Sequence, residues 1–335
     1  MSATDDHASA INPVHASALW YTGPLQAEIR PSKMNGTCTD ESVRVQALAS
    51  AISRGTESLV FAGKVPESEW TRMRAPFQAG DFPFPVKYGY ALTGRVVQGP
   101  LHLMGRIVFT LNPHETLFDI PVNAVIPVPD DIPLMRSILG ANMETALNAV
   151  WDASPGPGDH ISVVGAGVVG ALTAFILGKI PGTKVTLIDR NPARRALAAN
   201  LGVEFSDPEA ARGDQDVVFH ASGNPAGLMT ALNLGGNEAK IIEMSWYGER
   251  ESTLQLGGAF HSRRLTIISS QVGSIPSYRQ PRWTFRRRLQ TALTLLSDGR
   301  LDALLTNTYP FHDIAQHLPH ILKPESDILC PVITY

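Results

Sequence analysis

Residues 161–170 read ISVVGAGVVG, a run of β-branched residues that leads into a glycine-rich turn. The turn has the pattern G-x-G-x-x-G and consists of Gly165, Ala166, Gly167, Val168, Val169 and Gly170. A chain with 28 glycines can contain such a sextet by chance, so the flanking sequence decides its meaning. A Pro/Gly turn precedes the strand, and the helical stretch ALTAFILGKI follows the glycines. A second β-branched stretch, KVTLID, ends in Asp189, nineteen residues after the last glycine.

This strand–turn–helix–strand order is typical of a βαβ unit that binds a dinucleotide. Its glycines permit a tight turn, close approach of a pyrophosphate and close helix–strand packing, and the helix N-terminus offers N–H groups to the phosphates. We therefore expect the glycine turn, Asp189 and Arg190 to bind the cofactor. NAD is preferred over NADP, because the Asp189 carboxylate would face a 2′-phosphate, although Arg190 or Arg194 could instead bind that phosphate.

Two alternatives to this interpretation stay open. Residues 161–177 are uncharged and mostly apolar, as in a membrane span, but they contain three glycines and are flanked by Pro/Gly turns. The second alternative is a fold of the same type that binds no nucleotide.

Composition indicates an ordinary globular protein. At 335 residues the chain suits two domains, and a net charge of −3 with 44% hydrophobic residues gives no indication of nucleic-acid or membrane binding. Cys38 and Cys330 lie almost at opposite ends, which predicts reduced thiols in a cytoplasmic protein. The first eighteen residues lack the pattern of a secretion signal and are expected to be a frayed leader. The expected partner is a small-molecule substrate.

The pattern of predicted secondary structure changes near residue 141. Residues 18–140 alternate short strand candidates with Pro/Gly turns, which predicts an irregular β-barrel. From 141 onwards strands alternate with helices, which predicts an α/β, doubly wound sheet of five or six parallel strands. After Gly273 an arginine-rich helix and a closing strand return to the first domain. We expect residues 1–140 and 273–335 to form a catalytic domain and 141–272 a dinucleotide-binding domain.

This order resembles the medium-chain dehydrogenase/reductase superfamily over roughly residues 18–335. Local matches are GYALTG (89–94), PGD (157–159) and DRNPAR (189–194). The segments ISRGTE (52–57), NMETALNA (142–149) and FHSRRLTIISSQVG (260–273) look most like the bacteriochlorophyllide dehydrogenase branch. The resemblance implies a GroES-like β-barrel catalytic domain, a Rossmann domain and an NAD(P)-dependent oxidoreductase.

The zinc ligands of the zinc alcohol dehydrogenases in this superfamily are missing here. The first ligand position falls on Ser53 or Arg54, the Gly-His-Glu motif has become Gly89-Tyr90-Ala91, and the third position falls near Gly140. Catalytic zinc needs three N, S or carboxylate ligands, and the structural-zinc lobe needs four cysteines where this chain has two. We therefore expect no metal.

The resemblance also places candidate catalytic side chains in the cleft. Tyr90 replaces the zinc-binding histidine, so its phenol is the first candidate for proton donor, with Glu144 as the second through a relay. The further polar candidates are Ser53, Thr56, Glu57 and Asn142. Tyr90 could instead be a packed aromatic residue, and Glu144 a buried structural acid paired with Arg54. Arg54 is otherwise expected to bind the pyrophosphate, with surface solvation as the alternative.

Ligands of open parallel sheets bind at the carboxyl ends of the strands. Ser245 and Trp246 follow one strand and Gln271 another, so they are expected to contact the nicotinamide. Trp246 and Tyr247 would form a wall for a large or aromatic substrate, unless they belong to the core.

The charge pattern predicts an anionic substrate. Residues 252–297 contain seven arginines and no Asp or Glu, and such a field attracts anions. Residues 286–288 are expected to solvate a helix face. His261 and Arg263 are the preferred substrate contacts, and His261 or Arg54 is the cation that Tyr90 would need to act as a base.

The sequence thus predicts a zinc-independent oxidoreductase that transfers a hydride between NAD(H) and an alcohol/carbonyl pair. An enone or quinone reductase and a non-catalytic nucleotide-binding protein remain the alternatives. The apolar stretch LTIISSQVG is expected to be an edge strand that pairs with its twin in a homodimer.

Overall fold

The computed structural model describes residues 16–34, 38–324 and 326–335. The expected leader, residues 1–18, lies outside this part except for its last three residues. Residues 161–177, the possible membrane span, contain the last four residues of a five-residue strand and a ten-residue helix, which the glycine turn joins. Within the described ranges, no helix combines the length and the apolar character needed to cross a bilayer.

The described elements have the following bounds. The strands are β1 (Ala16–Gly23), β2 (Gln26–Ser32), β3 (Ser42–Ala51), β4 (Ala79–Gly80), β5 (Val86–Lys87), β6 (Leu92–Gln98), β7 (Ile107–Thr110), β8 (Leu117–Pro121), β9 (Val125–Pro127), β10 (His160–Val164), β11 (Lys184–Ile188), β12 (Glu204–Ser206), β13 (Gln215–His220), β14 (Gly235–Glu243), β15 (Thr266–Ser269), β16 (Leu305–Pro310) and β17 (Cys330–Thr334). The helices are α1 (Arg54–Phe61), α2 (Leu134–Ser137), α3 (Gly140–Ala153), α4 (Val168–Leu177), α5 (Arg194–Leu201), α6 (Pro225–Leu234), α7 (Phe285–Thr294) and α8 (Ile314–Ile321).

The predicted doubly wound sheet is confirmed. Its six strands pair in the order β12-β11-β10-β13-β14-β15, and every pairing is parallel. The strands are rich in β-branched residues because both faces are buried, as Ile161, Val163 and Val217 are. The strand order reverses between β10 and β13, which is where such sheets bind their ligands.

Two further sheets hold the remaining strands. One has the order β2-β1-β5-β4, and the other β16-β17-β3-β6-β7-β9 with β8 added on β3. The C-terminal strand β17 pairs antiparallel with β3, so the end of the chain returns to the sheet built by its beginning. This return agrees with the expected organisation, whereas the exact bounds of the two domains stay a prediction.

Candidate active site

The glycine turn has the shape that the sequence predicts. Gly165 has φ +108°, and a Cβ there would lie 2.6 Å from the backbone nitrogen of Ser222. A Cβ on Gly170 would lie 1.9 Å from a carbonyl oxygen, so only glycine fits either position. Gly167 faces open space, and the helix that starts at Val168 has no side-chain cap. The N–H groups of its first turn are therefore available to a phosphate, so the turn fits a dinucleotide.

Asp189 is held at the end of β11 by backbone donors. Its Oδ2 accepts from the Ala166 N–H at 2.7 Å and its Oδ1 from the Asn191 N–H at 2.8 Å. The carboxylate is thereby fixed beside the glycine turn. Arg190 is exposed, while Arg194 donates to a backbone carbonyl of the C-terminal segment at 2.9 Å.

Tyr90 is brought together with two of the predicted residues, Ser53 and Thr56. Burial raises the pKa of Tyr90 to about 12, although hydrogen bonds with the hydroxyls of Ser53 and Thr56 lower it. A phenol with this pKa keeps its proton at neutral pH, so it can donate but not act as a base. The ring also lies edge-on against Tyr88, at 6.0 Å between centroids.

Arg54 does not supply the cation expected beside Tyr90. All three guanidinium nitrogens donate to backbone carbonyls, Nε to Ile321 at 2.9 Å, Nη2 to Lys323 at 3.0 Å and Nη1 to Ile328. The side chain therefore ties α1 to the C-terminal segment. Its role as a pyrophosphate clamp stays a prediction that depends on its two remaining N–H groups.

Glu144 has a different partner from the one expected. It is buried in α3 and pairs with Arg288 of α7, at 3.0 Å between Oε1 and Nε, rather than with Arg54. Burial raises the pKa of Glu144, which the nearby guanidinium partly offsets. Arg288 is itself buried, which corrects its expected place on a solvated helix face. Glu144 thus joins two helices, and Asn142 lies buried on the same helix.

A hydrogen-bonded network near Tyr90, which we call the closed network, consists of Tyr21, Ser50, Glu57, His114 and Tyr335. The Glu57 Oε2 accepts from the Tyr21 hydroxyl at 2.6 Å and lies 3.1 Å from the His114 Nε2. The His114 Nδ1 lies 2.8 Å from the Ser50 hydroxyl, which is 2.8 Å from the Tyr335 hydroxyl. The Ser53 N–H donates to the Glu57 Oε1 at 2.7 Å, so the network positions the residue beside Tyr90.

A second network, the open network, lies at the carboxyl ends of β13 and β14. The His220 Nδ1 is 2.8 Å from the Glu243 Oε2, and its Nε2 is 2.6 Å from the hydroxyl of Ser222, a residue that is exposed. The Tyr247 hydroxyl donates to Glu243 at 3.0 Å, and the Ser245 N–H donates at 2.7 Å. Ser245 and Tyr247 were predicted from the sequence, whereas His220, Ser222 and Glu243 were not, although polar residues at the ends of adjacent parallel strands are a signal for such a site.

Trp246 and Gln271 contact the first part of the chain. Trp246 packs on the buried cluster that includes Phe61 and Phe82, so it is partly a core residue as well as a neighbour of the open network. The Gln271 Nε2 lies 4.0 Å from the Met73 sulfur. Both residues therefore lie where the carboxyl edge of the parallel sheet meets the segment that contains Phe61, Met73 and Phe82.

His261 and Arg263 lie at the wrong edge of the parallel sheet for the predicted substrate contact. They precede β15, and Arg263 donates to the Gly235 carbonyl, where β14 begins, at 2.8 Å. Because the strands are parallel, residues before a strand lie at the amino edge, opposite the edge that binds ligands. His261 is exposed there, so it is also not the cation expected beside Tyr90.

No family model matches the chain. L-galactonate-5-dehydrogenase of Escherichia coli is 25% identical over 231 residues, which span 64% of this chain and 63% of that enzyme. D-guloside 3-dehydrogenase of E. coli is 26% identical over 294 residues, or 78% and 82% of the two chains. The structure of a putative zinc-binding dehydrogenase from Sinorhizobium meliloti 1021, bound to NADP, aligns with TM-score 0.76 and 15% identity, covering 96% and 99%.

The chain has the fold of the medium-chain alcohol dehydrogenases. The names of the relatives support an oxidoreductase that acts on CH–OH groups. The structural neighbour is described as bound to NADP. The superfamily resemblance seen in the sequence is thereby supported.

Proposed function

We propose that this protein is a zinc-independent oxidoreductase that uses NAD(H) to interconvert an alcohol and a carbonyl compound. The proposal is carried by the Tyr90 phenol, which hydrogen-bonds with Ser53 and Thr56. By the family resemblance, Tyr90 occupies the position of the zinc-binding histidine in the zinc alcohol dehydrogenases. A bound nicotinamide would supply or accept the hydride. Tyr90 would donate the proton to the developing alkoxide, and its raised pKa favours carbonyl reduction as the physiological direction.

The donor set supports the absence of zinc chemistry, although the structural neighbour is described as zinc-binding. Over residues 16–34, 38–324 and 326–335, no three His, Cys, Asp or Glu side chains come together as a metal site. A catalytic zinc takes three protein ligands, so the residues present do not fit one. Metal analysis and NADH oxidation before and after dialysis against EDTA test this. We expect unchanged activity, whereas a loss that added zinc restores would overturn zinc independence.

We propose a sugar acid or another anionic hydroxy compound as the substrate class. The support is the similarity to an enzyme named for L-galactonate, which carries a carboxylate. The arginines that suggested an anionic substrate lie elsewhere, since Arg263 is at the amino edge and Arg288 is buried. Turnover of sugar acids should exceed that of the matching neutral polyols, and equal turnover would contradict the proposal. The dehydrogenase names of the relatives favour this reaction over enone reduction.

We propose NAD as the preferred cofactor. Asp189 is fixed at the end of β11 and would place a carboxylate against a 2′-phosphate, which disfavours NADP. Fluorescence titration with both reduced cofactors tests the choice. Tighter binding of NADPH than of NADH would reverse it.

We propose a cytoplasmic homodimer. Strand β15 lies at one end of the six-stranded sheet, and its apolar Ile267 and Ile268 are only half-buried in the single chain. Pairing with a second copy would bury this edge. Light scattering should give about twice the 36.2 kDa of one chain.

The free Cys38 and Cys330 agree with a reducing compartment. The closer link to the bacteriochlorophyllide dehydrogenase branch stays a prediction.

A further inference from the structure

A pocket of about 250 Å³ lies against the C-terminal end of α3. Its lining residues are Tyr278, Arg279, Arg282, Trp283 and Arg287. The Tyr278 hydroxyl anchors this segment by donating to the Trp151 carbonyl at 2.6 Å, and Trp283 packs on Trp151 with 4.6 Å between ring centroids. The pocket shares no lining residue with the Tyr90 cluster or with the open network.

The three guanidinium groups of the pocket lack acidic partners. Residues 252–297 contain no Asp or Glu, and within the described part of the chain no ion pair joins Arg279, Arg282 or Arg287 to a carboxylate. The Nε of Arg279 is buried without a hydrogen-bond partner. A buried donor of this kind is normally paired with an acceptor.

Aromatic rings hold two of these guanidinium groups in place. Arg279 lies 4.8 Å from the Trp151 ring centroid and 5.3 Å from that of Tyr278. Arg287 lies 4.0 Å from the Trp283 ring centroid. Stacking fixes the planar groups and leaves part of their N–H edges for a ligand, although the Arg287 Nη1 already donates to the Arg282 carbonyl at 2.7 Å. Helix α7 begins directly after Trp283 and Thr284, so its positive end adds to the field.

We propose that this pocket binds a small multivalent oxyanion, either an organic phosphate or a polycarboxylate. Guanidinium forks match both groups in a bidentate manner. The volume is below the usual range for drug-sized ligands, which limits the ligand to the size of a sugar phosphate or a tricarboxylate. The site is independent of hydride transfer.

Tryptophan fluorescence tests the proposal without any enzyme assay, because Trp151 and Trp283 adjoin the pocket. The full chain is titrated with pyrophosphate, glucose 6-phosphate and citrate, and with glucose as the neutral probe. We expect a saturable change with a dissociation constant below about 1 mM for at least one anion and none for glucose. The ranking of phosphates against citrate identifies the preferred anion chemistry.

Two variants assign the binding to the pocket. Arg282→Ala removes a side chain that makes no hydrogen bond or ion pair within the described residues, and Arg279→Gln removes the buried donor. Each change should raise the dissociation constant at least about tenfold. Arg30→Gln is the matched control, since Arg30 stacks on the remote Trp20 ring at 5.3 Å. Thermal melting checks that the variants fold. Three outcomes would overturn the proposal. The first is no saturation at anion concentrations up to 10-fold above the limit of about 1 mM, and the second is an unchanged dissociation constant in Arg282→Ala. The third is binding of single-stranded oligonucleotides alone.

Discussion

The molecule contains two histidine–carboxylate pairs that differ in what surrounds them. In the closed network the side chains of His114 and Glu57 are both 0% exposed, and each hydrogen-bonded path ends on another buried residue or on Tyr335. In the open network His220 is equally buried, but its Nε2 faces the hydroxyl of Ser222, a residue that is exposed.

The comparison separates a structural use of this residue pair from a functional one. A buried charge without its partner is costly, so the closed network contributes mainly to stability and to the position of Ser53. The open network ends beside Gly165, in the crevice where the strand order reverses. We therefore expect its terminal hydroxyl to contact the cofactor.

The largest expected effect follows removal of the carboxylate of the closed network. Glu57→Ala leaves Tyr21, His114 and the Ser53 N–H without their acceptor, so the free energy of unfolding should fall by about 3–5 kcal/mol. Urea denaturation measures this loss. Glu69→Ala, which breaks an exposed ion pair with Arg72, is the control and should cost at most about 1 kcal/mol. Equal losses in the two variants would refute the structural role.

The two serines give a matched pair of smaller changes. Ser50→Ala leaves buried partners unsatisfied and should lower the free energy of unfolding by about 1–3 kcal/mol. Ser222→Ala should change it by less than about 0.5 kcal/mol, because water can reach the exposed site. Ser222→Ala should instead weaken NADH binding about 3–10-fold, the value of one hydrogen bond. A reversed pattern in denaturation and fluorescence titration would remove the distinction between the networks.

Alkaline pH should destabilise the protein through ionisation of Tyr90. Burial, and to a smaller extent the nearby Glu57, raise the pKa of this phenol. Its folded pKa of about 12 lies above the ordinary value of 10.0, so its contribution is fully present below pH 10 and is lost as the pH rises towards 12. Because the ring is only partly buried, we expect a loss of roughly 1–2 kcal/mol. Denaturation at pH 8 and 11 measures it. Tyr90→Phe should show a shallower decline, and an identical decline would argue against the raised pKa.

The sequence predicted what local pattern determines. The glycine turn, Asp189 and the six parallel strands follow from residue order and spacing, and the structure agrees. The partners of buried charges were not predictable, because Glu144 meets Arg288 and Glu57 meets His114 across long stretches of chain. The misplacement of Arg263 has another cause: nearness to a strand in sequence does not tell which end of the strand a residue occupies.

We expect Tyr90 to donate the proton in a reaction that needs no zinc. The most direct measurement is single-turnover oxidation of bound NADH by stopped flow, with the fastest carbonyl from a panel of keto sugar acids. Tyr90→Phe should lower this rate by about 10²–10⁴ while NADH binding stays unchanged. Tyr88→Phe removes the adjacent buried phenol and should stay within a few-fold of the native rate. A Tyr90→Phe rate within a few-fold of native would contradict the account and place the proton donor elsewhere.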